Sequence, residues 1–122
     1  MATRVMFDIP MVRGLDVLTN PATTAGVTVV GADSGKVFCS TNTGATTYTL
    51  PSLVDGTGKI FWFFLTNTTG TMVITAPSAC MIMNDTTGTT NTCAATAGSW
   101  VMVTCDGTSY YCFEGLGTWT AA

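Results

Sequence analysis

The stretch that most constrains the fold is Lys59-Ile60-Phe61-Trp62-Phe63-Phe64-Leu65, a run of bulky apolar residues opened by a lysine and closed by Thr66-Asn67-Thr68-Thr69-Gly70. It is too short for a useful helix and rich in aromatics, so it reads as a strand covered on both faces. Side chains alternate along a strand, which puts Ile60, Trp62 and Phe64 on one side and Phe61, Phe63 and Leu65 on the other. One set can fill the core of the domain. The other needs a neighbouring sheet or a second subunit. Ile60, Phe61, Trp62, Phe63 and Phe64 are therefore the candidate interface residues, with the choice of core face left open.

The rest of the chain agrees with a β protein that has partners. Its 122 residues make one domain, small enough to gain stability from oligomerisation. Thr makes up about a fifth of the chain, whereas Glu occurs once and Lys twice, a balance that favours strands over helices. Charged residues are 9% of the total, against about 25% in ordinary globular domains. A free monomer with so few charges would be poorly solvated, so much of its surface is expected to be covered. The net charge is −3, and Arg4, Arg13, Lys36 and Lys59 are scattered, which argues against a nucleic-acid partner. The first ten residues lack a long apolar core and no stretch approaches membrane-spanning length, so neither a secretory leader nor a membrane partner is expected.

Residues 1–25 differ from the rest of the chain. They carry Pro10 and Pro21 and apolar residues without a sustained period. Such a segment is too apolar to stay solvated and unable to fold alone, which points to an extended arm lying on another surface; an ordinary first strand is the alternative. From residue 26 to 122 short strands alternate with turn signals such as Gly31-Ala-Asp-Ser-Gly35, Asp55-Gly-Thr-Gly58 and Asp106-Gly-Thr-Ser109, the pattern of a β-sandwich or barrel. The clearest unit is the hairpin Trp100–Cys105 and Tyr110–Glu114. With Cys105 opposite Tyr110, one face carries Val101, Val103, Cys105, Tyr110, Cys112 and Glu114, and the other Trp100, Met102, Thr104, Tyr111 and Phe113.

Signals for catalysis are weak. The chain has no His, which removes the commonest general base and most metal sites, and its acids are spread singly, several in turns. Gly31-Ala-Asp-Ser-Gly-Lys36-Val37 is one residue short of a phosphate loop and leads into a strand, so it reads as a turn. The five cysteines show no paired spacing and read as reduced, mostly buried thiols; a Cys105–Cys112 bridge would be offset by one pair. The aromatics read chiefly as core and interface, with a sugar- or base-stacking platform as the alternative and Trp119 as the contact residue to watch. No enzyme activity, cofactor, metal or small-molecule substrate is expected.

Five motifs in order carry a resemblance: Asp33-Ser-Gly-Lys-Val-Phe38, Tyr48-Thr-Leu-Pro51, Gly58-Lys-Ile-Phe-Trp-Phe63, Val73-Ile-Thr-Ala76 and Val103-Thr-Cys-Asp-Gly-Thr-Ser-Tyr-Tyr111. They resemble a small β-module of tailed-bacteriophage structural proteins, found as a capsid decoration (cement) protein and, in related form, at the ends of fibres. The resemblance implies a β-sandwich, usually a homotrimer, that binds an assembled shell and locks capsomers together. The resulting expectation is a single all-β, jelly-roll-like sandwich with an extended N-terminal arm. It would be made in a host cytoplasm and carried on the outer capsid surface of a virion. Ile60, Phe61, Trp62, Phe63 and Phe64 would form the trimer contact, and Arg4, Phe7, Ile9, Arg13 and Leu15 would touch the major capsid protein. A fibre or spike tip that binds a receptor or glycan is the alternative.

Overall fold

A computed structural model describes residues 16–21, 23–83, 86–93 and 96–122. Over these residues the protein is all-β, with twelve strands, a 3-10 turn at Gly31–Asp33 and one α-helical turn, α1 (Leu53–Gly56). The strands are β1 (Asp16–Asn20), β2 (Gly26–Thr28), β3 (Lys36–Ser40), β4 (Ala45–Thr49), β5 (Ile60–Leu65) and β6 (Thr71–Thr75), followed by β7 (Met81–Met83), β8 (Thr86–Gly88), β9 (Thr90–Cys93), β10 (Trp100–Cys105), β11 (Tyr110–Glu114) and β12 (Trp119–Ala121). They form two sheets: a larger one ordered β1-β3-β5-β10-β11-β7-β8 and a smaller one ordered β12-β9-β6-β4-β2.

The order differs from the antiparallel jelly-roll expectation. β1, β3 and β5 are parallel neighbours in the larger sheet, and β2, β4 and β6 are parallel neighbours in the smaller one. The first half of the chain therefore winds like a solenoid, each winding giving one strand to each sheet. The reason lies in the corners. Asn67 Nδ2 donates to the Asn42 carbonyl (3.0 Å), and Asn42 Nδ2 donates to the Thr24 carbonyl (2.9 Å), so asparagines at equivalent corners stack one winding on the next. A second ladder runs beside it: the Thr66 hydroxyl donates to the Ser40 carbonyl (2.9 Å) and the Thr41 hydroxyl to the Asn20 carbonyl (2.6 Å). These side chains satisfy backbone groups that a corner would otherwise leave unpaired. Gly70 belongs to the same corner, because a Cβ there would collide with the Asn42 carbonyl oxygen.

The second half closes the sandwich. β10 lies antiparallel to β5, the hairpin partner β11 lies next to it, and β9 pairs antiparallel with β6. Cys105 stands opposite Tyr110, the register that the Asp106-Gly107 turn dictates. Gly107 has φ +94°, where a side chain would be strained. The core sits between the sheets and centres on three rings: Phe63 lies 5.5 Å from Phe38 and 5.0 Å from Tyr48. Asp16–Asn20, inside the stretch read from sequence as an arm, is the edge strand of the larger sheet. The remainder of that stretch up to residue 15 lies outside the described residues.

Candidate functional site

The unusual surface is the outer face of the larger sheet. Register places Val17, Val37, Trp62, Met102 and Phe113 side by side, one apolar row across five strands. A second row runs Thr19, Cys39, Phe64 and Trp100, and a third runs Ile60, Thr104, Tyr111 and Ile82. None of these residues is charged. At about 4.8 Å between strands and about 3.3 Å per residue, the rows cover roughly 20 by 15 Å in projection. That approaches the size at which an apolar patch on a monomer is commonly functional.

Exposure is graded across the patch. Val17 is 59% exposed, Phe113 53% and Trp100 36%, while Trp62 and Phe64 at the centre are half-buried by their neighbours. The indoles of Trp62 and Trp100 lie 5.7 Å apart at 37°. The Trp62 Nε1–H is shielded from solvent and makes no hydrogen bond among the described residues. A buried donor without an acceptor costs about 1–3 kcal/mol, so the centre of the patch holds one polar group left unpaired by the described residues.

Of the five residues that sequence nominated for this interface, the sheet separates two from the rest. Phe61 and Phe63 are fully buried against the smaller sheet, as is Leu65; Ile60, Trp62 and Phe64 face outward. The core face is thereby fixed, and Phe61 and Phe63 leave the candidate interface. Val37, Met102 and Val17 join it. The alternating faces of Trp100–Cys105 are legible in the sequence, but their alignment with Trp62 depends on strand order, which alternation does not encode. Arg4, Phe7, Ile9, Arg13 and Leu15 lie outside the described residues.

The opposite face of the molecule is uncharged in a different way. On the outer side of the smaller sheet, Thr28, Thr49, Thr75 and Thr90 align across four strands, with Thr47, Val73, Thr92 and Thr120 in the next row. Hydroxyls keep this face wettable, which the larger sheet's outer face is not.

Several of the remaining polar groups hold the fold together. Tyr110 donates from its hydroxyl to the Pro51 carbonyl (2.6 Å), and Tyr48 donates to Asn20 Oδ1 (2.6 Å), tying β4 to the edge strand β1. Burial pushes the Tyr48 phenol up to about 12. The Asp106 carboxylate accepts from the Thr108 and Ser109 N–H groups (both 2.8 Å) and from the Tyr111 hydroxyl (2.9 Å), which holds it below the ordinary aspartate range. Cys39, Cys80, Cys105 and Cys112 are free thiols. Burial, and then the nearby Glu114, pushes the Cys112 thiol to about 12, unsuited to a nucleophile. Glu114 Oε2 accepts from Asn91 Nδ2 (2.9 Å) across the core. Gly31–Asp33 is a 3-10 turn closed by an Asp33–Lys36 ion pair (3.0 Å), as the turn reading required.

Trp119, nominated as a contact residue, packs on the core instead, and its Nε1 donates to the Leu116 carbonyl (3.3 Å). Among the described residues no three His, Cys, Asp or Glu side chains group to hold a metal, and no helix is long and apolar enough to cross a membrane. A shallow depression of about 430 Å³ is lined by Ile82, Tyr111, Cys112, Phe113 and Glu114. Its only ionisable groups are that thiol, the Tyr111 phenol tied to Asp106, and Glu114. Neither a family model nor a curated protein matches the chain.

Proposed function

We propose that the protein is a non-catalytic assembly module whose copies pack through the outer face of the larger sheet. The observation that carries the reading is the unbroken row Val17–Val37–Trp62–Met102–Phe113, uncharged and aromatic-rich, in a chain that has little charge to spend elsewhere. Burying such a face removes apolar area from water at about 25 cal/mol per Å².

Within that reading, the five ordered motifs favour a homotrimeric capsid decoration protein on the outer surface of a virion. Its trimer contact is formed by Ile60, Trp62 and Phe64, and residues before β1, among them Arg4, Phe7, Ile9, Arg13 and Leu15, reach the major capsid protein. Many modest contacts repeated by symmetry hold a shell together without one strong site. The test is co-sedimentation with assembled shells stripped of the protein. The cut must stop short of β1, because Asn20 anchors Tyr48. Deleting residues 1–15 is expected to abolish shell binding and leave the trimer mass unchanged; a truncated protein that still saturates shells refutes the arm contact.

The partial exposure of Trp100 and Phe113 favours a second reading, a fibre or spike tip that stacks sugars on these rings. Glycan-array signal that disappears in Trp100→Ala would support it, and a silent array would remove it.

A further inference from the structure

The outer face of the smaller sheet repeats in two directions. Across the strands Thr28, Thr49, Thr75 and Thr90 stand side by side. Along β4 and β9, Thr49 and Thr90 each have a second threonine two residues away, Thr47 and Thr92. Val73 takes the matching place on β6 and keeps the branched shape of threonine. Each of these pairs brackets a side chain with no exposure, Tyr48 on β4, Ile74 on β6 and Asn91 on β9, so the core fixes the backbone beneath the array. Threonine and valine are stiff at χ1, which holds the methyls and hydroxyls in place as well. Thr90 turns its hydroxyl to the Ala122 carbonyl (3.4 Å), whereas the hydroxyls of Thr28, Thr47, Thr49, Thr75 and Thr92 have no protein partner among the described residues. The windings that supply β2, β4 and β6 are stacked by the Asn67–Asn42 and Asn42–Thr24 bonds, and side-chain ladders are among the devices that hold a sheet against its usual twist.

We propose that this face binds ice. The two rows offer no charge for an ionic partner and no aromatic, Met or Arg anchor of the kind that carries a protein interface. They offer a rigid lattice, with repeats of about 4.8 Å across the strands and about 6.6 Å along them. Both repeats lie near the oxygen–oxygen repeats on a prism face of ice. A methyl and a hydroxyl at each node suit such a surface: the methyls fill gaps between ordered waters and leave the liquid, and the hydroxyls take the place of waters in the hydrogen-bonded lattice. Each contact is weak, but contacts fixed on one rigid body and made together give lasting attachment. A protein held in this way pins the growing front, which must bulge between bound molecules, so the crystal stops growing over a range of temperature below its melting point. The inference uses the face opposite the subunit contact and does not depend on the assembly reading.

The test is nanolitre osmometry on single ice crystals with the full-length protein, Thr75→Lys, Thr75→Val and Trp62→Arg, each shown to be folded by circular dichroism. Thr75 is chosen because it has array neighbours on both sides, Thr49 and Thr90. The wild type is expected to facet the crystals and open a gap between melting and growth temperatures. Thr75→Lys, which puts a long hydrated cation in the middle of the array, should lose most of that gap. Thr75→Val keeps the methyls and should retain it, and Trp62→Arg, changed on the other face, should retain it too. A wild type that leaves crystals round and growing at their melting point overturns the proposal. So does a gap that survives Thr75→Lys, or one that Thr75→Val removes as completely as Thr75→Lys. A gap lost in Trp62→Arg and kept in Thr75→Lys would place the ice contact on the larger sheet and overturn the proposal as well.

Discussion

Phe63 and Phe64 are adjacent in sequence and face opposite environments, which makes their truncation a sharp comparison. Phe63 is fully buried in the ring cluster with Phe38 and Tyr48, whereas Phe64 stands half-buried on the outer face opposite Trp100. Phe63→Ala loses the transfer energy of the ring and leaves a cavity, together about 3–5 kcal/mol. The two ring contacts, each worth about 0.5–1.5 kcal/mol, place the cost in the upper part of that range. A domain is held by only about 5–15 kcal/mol, so this variant is close to unfolding. Phe64→Ala removes a ring that is partly wet in the isolated chain; full burial is worth about 1.5–3 kcal/mol, so half-burial predicts about 1 kcal/mol. The assay is urea unfolding followed by tryptophan fluorescence, at concentrations low enough for single chains to dominate, with the slope m checked for constancy. At higher concentration the Phe64→Ala deficit should grow, because association stabilises the wild type by mass action. Equal costs for the two variants in dilute solution would falsify the assignment of faces.

Three further outcomes are expected. Because turn hydrogen bonds lower the folded-state pKa of Asp106, the stability it contributes is present above the ordinary value of 3.8 and lost as pH falls through the lower folded value; Asp106→Asn should flatten the acid limb of a denaturation-midpoint profile. Tyr48 has the opposite sign: its folded-state pKa is raised from 10.0 to about 12, so stability is complete below pH 10 and lost as pH rises towards 12, and Tyr48→Phe should weaken that alkaline loss. Gly56→Ala would drive a Cβ into the Tyr110 hydroxyl, itself pinned to the Pro51 carbonyl, and should cost about 1–3 kcal/mol in thermal or urea unfolding, with Tyr110→Phe in the same background recovering part of it.

Much of the strand content is legible in the sequence because it depends on local pattern. Lys36–Ser40, Thr71–Thr75, Trp100–Cys105 and Tyr110–Glu114 fall where alternation and turn residues place them, and the 105–110 register follows from turn chemistry alone. Two short elements escape such a reading. β8 hides in Thr86-Thr87-Gly88, which reads as a turn, and α1 is a single turn capped by Ser52, whose Oγ accepts from the Asp55 N–H (3.2 Å).

The winding is harder to see although its signal is in the chain. Thr41-Asn42-Thr43-Gly44 and Thr66-Asn67-Thr68-Thr69-Gly70 are two copies of one corner. Tyr48-Thr49-Leu50-Pro51 and Ile74-Thr75-Ala76-Pro77 are two copies of one strand end, aligned in register, with Leu50 and Ala76 both buried. Repeats at such a period mark stacked windings, in which side-chain ladders replace hairpins. Read as turns, the same corners suggest antiparallel neighbours. The face of β5 that meets the core depends on which strands lie above it, so alternation alone narrows the interface to two sets without choosing between them.

The central claim is that the outer face of the larger sheet is a subunit contact, and mass in solution tests it most directly. Light scattering on the wild type and Trp62→Arg at matched concentrations should give three times the single-chain mass for the wild type and the single-chain mass for the variant, with the variant still folded by circular dichroism. A wild type of single-chain mass, or a Trp62→Arg protein that stays assembled, would contradict the account.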